Sequence, residues 1–241
     1  DTLNYAAREL AKTEHLQRDL IANISHDLRT PLTLITGYAE VMRDLPGENT
    51  PENVQIIIDE ATRLSTLVND VLDLSKLQAG VVPMQCSVFN LTASVRQILT
   101  RYTKLTDYHI VFYASEDVYV HADELKISQV VYNLVNNALT YTGPDKSVTL
   151  RQTVEDEKVR ISVSDTGDGI PQDKLNDIWE RYYKVDKAHK RAQVGTGLGL
   201  AIVKMILDMH GGEYGVRSQE GVGSTFWFEL GTVSEEKASE E

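Results

Sequence analysis

Between Ile21 and Met42 apolar residues recur in alternating steps of three and four. This heptad rhythm confines the first third of the chain to helices packed along a seam. The row reads Ile21, Ile24, Leu28, Pro31, Ile35, Tyr38 and Met42 within a helical pattern that runs from Thr2 to about Arg43. It breaks at Leu45-Pro46-Gly47, and Thr50-Pro51 then reads as an N-cap with proline in the first helical position. A second row, Val54, Ile57, Ala61, Leu64, Val68 and Val71, continues toward Gly80, with Pro83 blocking extension. Two such helices joined by a short loop predict an antiparallel hairpin over residues 1–80. A lone hairpin has little interior, so pairing with a second copy into a four-helix bundle is the expected solution. A purely structural coiled-coil stalk fits the same spacing.

Inside the first helix lies Ser25-His26-Asp27-Leu28-Arg29-Thr30-Pro31. With Ile21 and Ile24 on the seam, His26 falls on the far side of the helix, toward water. Pro31 removes a backbone donor and crowds the carbonyl of Asp27, at a cost of about 3 kcal/mol in a helix interior. A bend is expected one turn after an exposed imidazole that has Asp27 beside it and Thr30 one turn along the same face. A surface histidine on a coiled coil is the plainer explanation.

After Gly80 the periodicity changes. Cys86 precedes the strand-like Val88-Phe89, and Asn90 caps a helix marked by Leu91, Val95 and Leu99. Strands are predicted at 108–114 and 118–121. Asp123 caps a long helix reaching about Leu139, with Ile127, Val130, Val131, Leu134, Val135 and Ala138 buried. Further strands are predicted at 147–154, 159–165, 213–218 and 224–230, and a helix runs from the loop Gly195–Gly199 to His210-Gly211-Gly212. Residues 81–233 should therefore form an α+β two-layer sandwich, helices on one side of a mixed or antiparallel sheet. The acidic tail 234–241 is expected to be disordered.

A formal charge of −12 over 241 residues argues against nonspecific nucleic-acid binding. Cys86 stands alone, which excludes a disulfide framework or a thiolate cluster and suits a reducing compartment. No run approaches the roughly 20 apolar residues of a membrane span, and the start at Asp1 shows no signal-peptide pattern. A piece cut from a longer protein is expected.

Three features of the second half point to a nucleotide. Asn133 and Asn137 are four apart on one helical face, and amide oxygens suit a hard cation such as Mg²⁺ held jointly with phosphates. Asparagines satisfied by backbone explain the pair equally well. Val159, Ile161, Val163 and Asp165 alternate onto one face, so a carboxylate lies on the inward row and needs a partner such as the amino group of adenine. The loop Thr166-Gly167-Asp168-Gly169-Ile170 follows, its glycines open to a close ligand; an ordinary acidic turn is the alternative. Gly195-Thr196-Gly197-Leu198-Gly199-Leu200 opens a helix whose first amides can receive phosphate, with neither Walker nor Rossmann spacing. The basic stretch Lys184–Val194 before it reads as a lid over phosphate or as a solvated loop.

Together these segments resemble the catalytic core of bacterial sensor histidine kinases of two-component signalling, over roughly residues 16–230. Residues 25–31 look like the H box, Asn133-Leu134-Val135-Asn136-Asn137-Ala138 the N box and Asp165-Thr166-Gly167-Asp168-Gly169 the G1 box. Ile178-Trp179-Glu180-Arg181-Tyr182-Tyr183 looks like the F box, Gly195–Leu200 the G2 box, and Gly223-Ser224-Thr225-Phe226 the short glycine motif beyond it. The resemblance implies a homodimeric phosphotransfer hairpin joined to an ATP-binding domain of the fold shared with gyrase, Hsp90 and MutL. By it, His26 attacks the γ-phosphate of ATP and passes the phosphoryl to an aspartate of a response-regulator receiver domain. Asp27 would take or orient the imidazole proton, and Thr30 would position water for dephosphorylation of the partner. Asn137 with Asn133 would hold Mg²⁺ and phosphates, Asp165 would accept from the adenine amino group, and Tyr141 would cover the ring. Gly167 and Gly169 line that loop. Gly195, Thr196, Gly197, Leu198 and Gly199 would fold over the phosphates, with Lys184 as the basic residue after the F box and Thr225 at the last motif.

Two positions depart from the family pattern. Thr140 stands where many relatives have lysine, so one phosphate contact is expected to be lost or supplied by the lid. Trp179 and Tyr182 stand where phenylalanine is usual, which should preserve packing. Rival readings are an ATPase of the same fold, which has no use for His26, and a non-catalytic dimeric scaffold. The resemblance further implies the cytoplasmic catalytic portion of a membrane-bound receptor, attached through an N-terminal sensor region.

Overall fold

The structure, a computed structural model, describes residues 2–79, 83–102, 104, 107–179 and 196–234, with the backbone path alone for residues 2–20. The chain divides into two compact units, 1–73 and 74–241.

Helix α1 (Thr2–Asp44) and helix α2 (Pro51–Gln78), whose last residues from Leu74 on are counted with the second unit, flank a short turn. Thr50 caps α2 as its sequence position demands: its Oγ1 accepts from the Asn53 amide at 3.2 Å and its carbonyl from Val54 at 3.1 Å. Asn53 Nδ2 closes the turn by donating to the Glu48 carbonyl at 2.7 Å, and Gly47 takes the positive φ there, +92°. Helix α1 runs unbroken through Pro31, which is buried, while Ile24, Leu28, Ile35, Tyr38 and Met42 are half-buried in the same row. Ile21 departs from that row and is exposed.

Helix α2 corrects the expected seam. Its inner row is Ile57, Leu64, Leu67, Val71 and Leu74, whereas Val54, Ala61 and Val68 of the predicted row are exposed together with Ile58 and Leu72. A helix carrying apolar residues at more than two heptad positions serves two neighbours, and a single three-four row drawn through it mixes two faces.

The second unit is a seven-stranded mixed sheet with helices on one face. Its strands are β1 (Ser87–Asn90), β2 (His109–Tyr113), β3 (Tyr119–Ala122), β4 (Ser147–Glu155), β5 (Lys158–Asp165), β6 (Glu213–Gln219) and β7 (Gly223–Val233). The order is β1-β3-β7-β5-β4-β2, with β6 also pairing β7. Among the described strands only β2 and β4 run parallel; the other pairs are antiparallel. Helices α3 (Leu91–Thr100), α4 (Glu124–Tyr141) and α5 (Gly199–Met209) cover the inner face.

The six apolar positions predicted for α4 are all buried, as are Ala201, Ile202, Val203, Ile206 and Leu207 of α5. They meet Val148, Leu150, Val159, Ile161, Val163, Phe226, Phe228 and Leu230, the inward residues of the central strands. Asn90 caps α3, its side chain accepting from Ala93 N at 2.8 Å. Asp123 caps α4 through Oδ1 and Lys126 N at 3.1 Å, and its Oδ2 takes the Gln85 amide at 3.0 Å. The Asp123 amide donates in turn to Nε2 of His210 at the end of α5, at 3.1 Å. The two helices that bear the asparagines and the glycine loop are therefore tied at their far ends. No described helix is long and apolar enough to cross a membrane.

Candidate active site

On α1 the His26 side chain is 78% exposed, and its Nδ1 lies 3.2 Å from Oδ1 of Asp27. An Nδ1–H donated to that carboxylate leaves the Nε2 lone pair pointing to solvent, the tautomer a nucleophile needs. Thr30 Oγ1, one turn on and exposed, sits 3.4 Å from the His26 carbonyl. Ser25, Thr33 and Thr36 also return their hydroxyls to carbonyls four residues back, at 2.8–2.9 Å, a habit that bends helices. Pro31 has no N–H to give the Asp27 carbonyl, so the helix ladder is interrupted beside the imidazole.

In the second unit, Asp165 ends β5 on the inward row and is 7% exposed. Its Oδ1 accepts from Gly167 N at 2.9 Å and Ser224 N at 3.3 Å. Both inter-residue donors go to one oxygen, which leaves Oδ2 for a ligand donor. Burial pushes the carboxyl above its ordinary range, against the pull of these backbone donors. The hydroxyl of Thr166 binds Asp145 and meets Thr142 Oγ1 at 3.1 Å, fixing the loop to the turn after α4.

The glycines of this loop have a reason other than ligand approach. A Cβ on Gly167 would overlap the Tyr141 carbonyl oxygen, and one on Gly169, at φ +73°, would overlap that of Gln219. Both are required by the protein's own backbone. Tyr141, 38% exposed, stands at the end of α4 just above Gly167.

Asn133 and Asn137 are half-buried on α4. Asn133 Nδ2 donates to the Gly199 carbonyl at 3.3 Å, which keeps its amide oxygen available, and no described residue hydrogen-bonds the Asn137 side chain. No cluster of three histidine, cysteine or acidic side chains occurs among the described residues. The donor set thus fits a hard cation sharing its shell with phosphates rather than a protein cage. Asn136, between them, instead accepts from Tyr102 Oη at 2.9 Å. Thr140 turns its hydroxyl back to the Asn136 carbonyl at 2.8 Å.

Helix α5 begins at Gly199 with no side-chain cap, so its first amides are left to a ligand. Gly197 takes φ +72°, and Thr196 Oγ1 accepts from Leu198 N at 3.4 Å. Leu198 is fully buried, which anchors the loop and limits its contribution at a ligand to backbone groups. Lys184, Gly195 and the F-box residues from Glu180 on lie outside the described residues. Trp179 packs at 4.8 Å from the Tyr214 ring and edge-on to Phe226 at 5.9 Å, so it fills a core position.

Thr225 requires a correction. It pairs with Ser164, and the two hydroxyls meet at 2.8 Å on the sheet face opposite Asp165. The member of that motif that reaches the site is Ser224, through its backbone N–H. Strand parity carried the signal: Phe226 and Phe228 face the core, so Ser224 shares their side.

Family models match both units. "His Kinase A (phospho-acceptor) domain" covers residues 16–80, and "Histidine kinase-, DNA gyrase B-, and HSP90-like ATPase" covers 122–233. The chain is 36% identical over 234 residues to the sensor histidine kinase WalK of Bacillus subtilis, covering 94% of this chain and 38% of that protein. It thus spans about two fifths of the length of the curated relatives it matches. Among solved structures, the catalytic domain of histidine kinase ThkA is 30% identical with TM-score 0.53, covering 61% of this chain and 96% of that one. ThkA in complex with the response regulator TrrA has TM-score 0.74 at 27% identity, covering 94% and 65%. Full-length ShkA in complex with AMPPNP has TM-score 0.64 at 29% identity, covering 90% and 46%.

Proposed function

This chain belongs to the sensor histidine kinase family, and from that premise we propose that it phosphorylates itself on His26 with ATP and passes the phosphoryl group to a receiver-domain aspartate. The observation that carries the reading is the exposed His26 ring with Nδ1 turned to Asp27. Nε2 attacks the γ-phosphorus in line, the bond to the β-phosphate oxygen breaks, and ADP leaves with that electron pair. The Nδ1 proton, made acidic by phosphorylation, passes to Asp27 or through it to water. A receiver aspartate then displaces the imidazole from phosphorus.

The nucleotide would lie between α4 and the 165–169 loop, its adenine amino group on Asp165 and its ring against Tyr141. Asn137 and Asn133 would hold Mg²⁺, which neutralises phosphate charge when bound. The amides at the start of α5, with Gly195 and Lys184 from the basic stretch before it in sequence, would meet the phosphates. Residues 1–80 would act as the dimerising phosphotransfer hairpin and 81–233 as the ATP-binding domain, with 234–241 a tail. Thr30, exposed one turn from His26, would place water for dephosphorylation of the regulator. Sensing and membrane attachment would belong to the remainder of a longer receptor with this portion in the cytoplasm.

Incubation with γ-labelled ATP and Mg²⁺ tests the reading. Acid-labile, base-stable label on the chain that disappears in His26→Gln is expected. Free phosphate without chain label would indicate an ATPase, and absence of nucleotide binding a scaffold.

A further inference from the structure

We propose that Ser218 is a positioning residue for the adenine-reading carboxylate Asp165, acting through the peptide bond between Gly223 and Ser224. The inference rests on the nucleotide reading above.

Ser218 lies near the end of β6, opposite Ser224 in the β6–β7 register and on the inward row. Its Oγ has three neighbours: the Ile170 amide at 2.8 Å, the Gly223 carbonyl at 3.0 Å and the Ser224 hydroxyl at 2.9 Å. A hydroxyl has one proton and two acceptor sites. The carbonyl can only accept and the amide can only donate. Ser218 therefore donates to Gly223 and accepts from Ile170 and from Ser224 Oγ–H, which uses all its capacity.

The Gly223 carbonyl and the Ser224 N–H belong to one planar peptide group and point to opposite sides of it. One side is held by Ser218, and the other donates to Asp165 Oδ1 at 3.3 Å. The second donor to Oδ1, Gly167 N, belongs to the carboxylate's own turn. Among the described donors, Ser224 N alone ties the carboxylate to a neighbouring strand, and Ser218 sets the angle of its peptide plane. Gly223, at φ +135°, carries no side chain that could hold the plane in place of that hydroxyl, and a Cβ there would overlap the Asp165 carbonyl oxygen.

The same serine fixes the far end of the loop. Besides Ile170 N on its hydroxyl, its carbonyl accepts from Gln172 Nε2 at 2.8 Å, and nearby Gly221 N donates to the Asp168 carbonyl at 2.7 Å. A continuous path runs from Ile170 N–H through Ser218 and the 223–224 peptide to the carboxylate, and hydrogen bonds in such a series strengthen one another. Removing the hydroxyl leaves the peptide free to tilt and Asp165 free to turn.

The test compares binding of ADP and IDP by calorimetry, since hypoxanthine carries a carbonyl where adenine carries the amino group. The wild-type chain should prefer ADP. Ser218→Ala should weaken ADP by about tenfold and IDP far less, narrowing the preference, while the autophosphorylation rate at saturating ATP stays near wild type. Ser218→Thr, which keeps the hydroxyl, should restore the preference, and Ser218→Val, its near-isostere, should not; this pair decides the matter if the alanine variant unfolds. An unchanged ADP-to-IDP ratio in folded Ser218→Ala or Ser218→Val overturns the proposal. Asp165→Asn serves as the control: if it keeps the ADP preference, the nucleotide reading itself has failed rather than the role of Ser218.

Discussion

The Nδ1 atom of His26 faces Oδ1 of Asp27 at 3.2 Å, a contact between neighbours in sequence on an exposed helix face. Because the pair is adjacent, the helix alone maintains it, whatever the second unit is doing. The carboxylate selects the tautomer with a free Nε2 and is placed to accept the proton that phosphorylation makes acidic. Asp27→Asn keeps a side-chain acceptor but loses the charge. The initial rate of chain labelling at saturating ATP should fall about a hundredfold, with the KM for ATP unchanged. A rate within about twofold of wild type would mean that solvent alone handles the proton.

Asp123 and Asp165 should respond to acid with opposite signs. Burial works against ionisation of Asp123, but the Gln85 and Lys126 amides and the nearby Lys126 and His210 outweigh it, so its carboxyl is held below the ordinary range. That contribution to stability is full above the unfolded-state value and disappears as pH falls through the lower folded one. Asp123→Ala should cost about 1–2 kcal/mol at neutral pH, and the deficit should shrink in strong acid. Burial raises Asp165, so folding favours its protonated form, and the cost of its ionisation grows as pH rises from the ordinary carboxylate range through the raised value. Thermal melts of Asp165→Asn without nucleotide should therefore lie at or above wild type at neutral pH, although ADP binding is lost. A melt well below wild type would contradict this sign.

Two glycines at the site should behave differently when alanine replaces them. At Gly167 the added Cβ would strike the Tyr141 carbonyl, backbone that cannot turn aside. A loss of at least about 2 kcal/mol in urea denaturation is expected, along with nucleotide binding. At Gly199 the nearest atoms to a new Cβ are Asn133 Cγ and Cβ, at 3.8 and 3.9 Å, and the residue opens a helix. Gly199→Ala should keep or raise stability by a few tenths to about 1 kcal/mol. Its KM for ATP should rise, because the methyl stands where phosphates approach the first amides.

Sequence periodicity carried much of this architecture. The six buried positions of α4, the caps Thr50, Asn90 and Asp123, and the inward row ending in Asp165 follow from spacing and capping chemistry alone. What it missed has a common cause: it depends on residues far apart in the chain. Gly167 and Gly169 look like ligand-facing glycines until Tyr141 and Gln219 are seen behind them. Thr225 sits in a short glycine motif, yet its register with Ser164 turns it to the other face of the sheet. In α2 the helix bears two apolar rows, and a single heptad spacing runs across both.

That second row on α2 leads to the last prediction. Val54, Ile58, Val68 and Leu72 repeat at spacings of four, ten and four, which place them on one face, and each is exposed; Leu72 is 50% so. The inner row, with Leu67 and Leu74, lies on a different side of the helix. An apolar stripe of this length facing water is unfavourable, and a second copy covering it in a four-helix bundle would remove it. Leu72→Glu places a charge at the C-terminal end of that stripe, at its most exposed member, without touching the inner row. Sedimentation should then show a dimer for the wild-type chain and a monomer for the variant, with helical circular dichroism retained. Labelling separates two further cases. If each chain phosphorylates its own His26, a folded monomer should keep measurable activity; if the partner's ATP site is needed, label should vanish with the dimer. A variant that stays dimeric at micromolar concentration would show that this stripe is not the surface by which two copies meet.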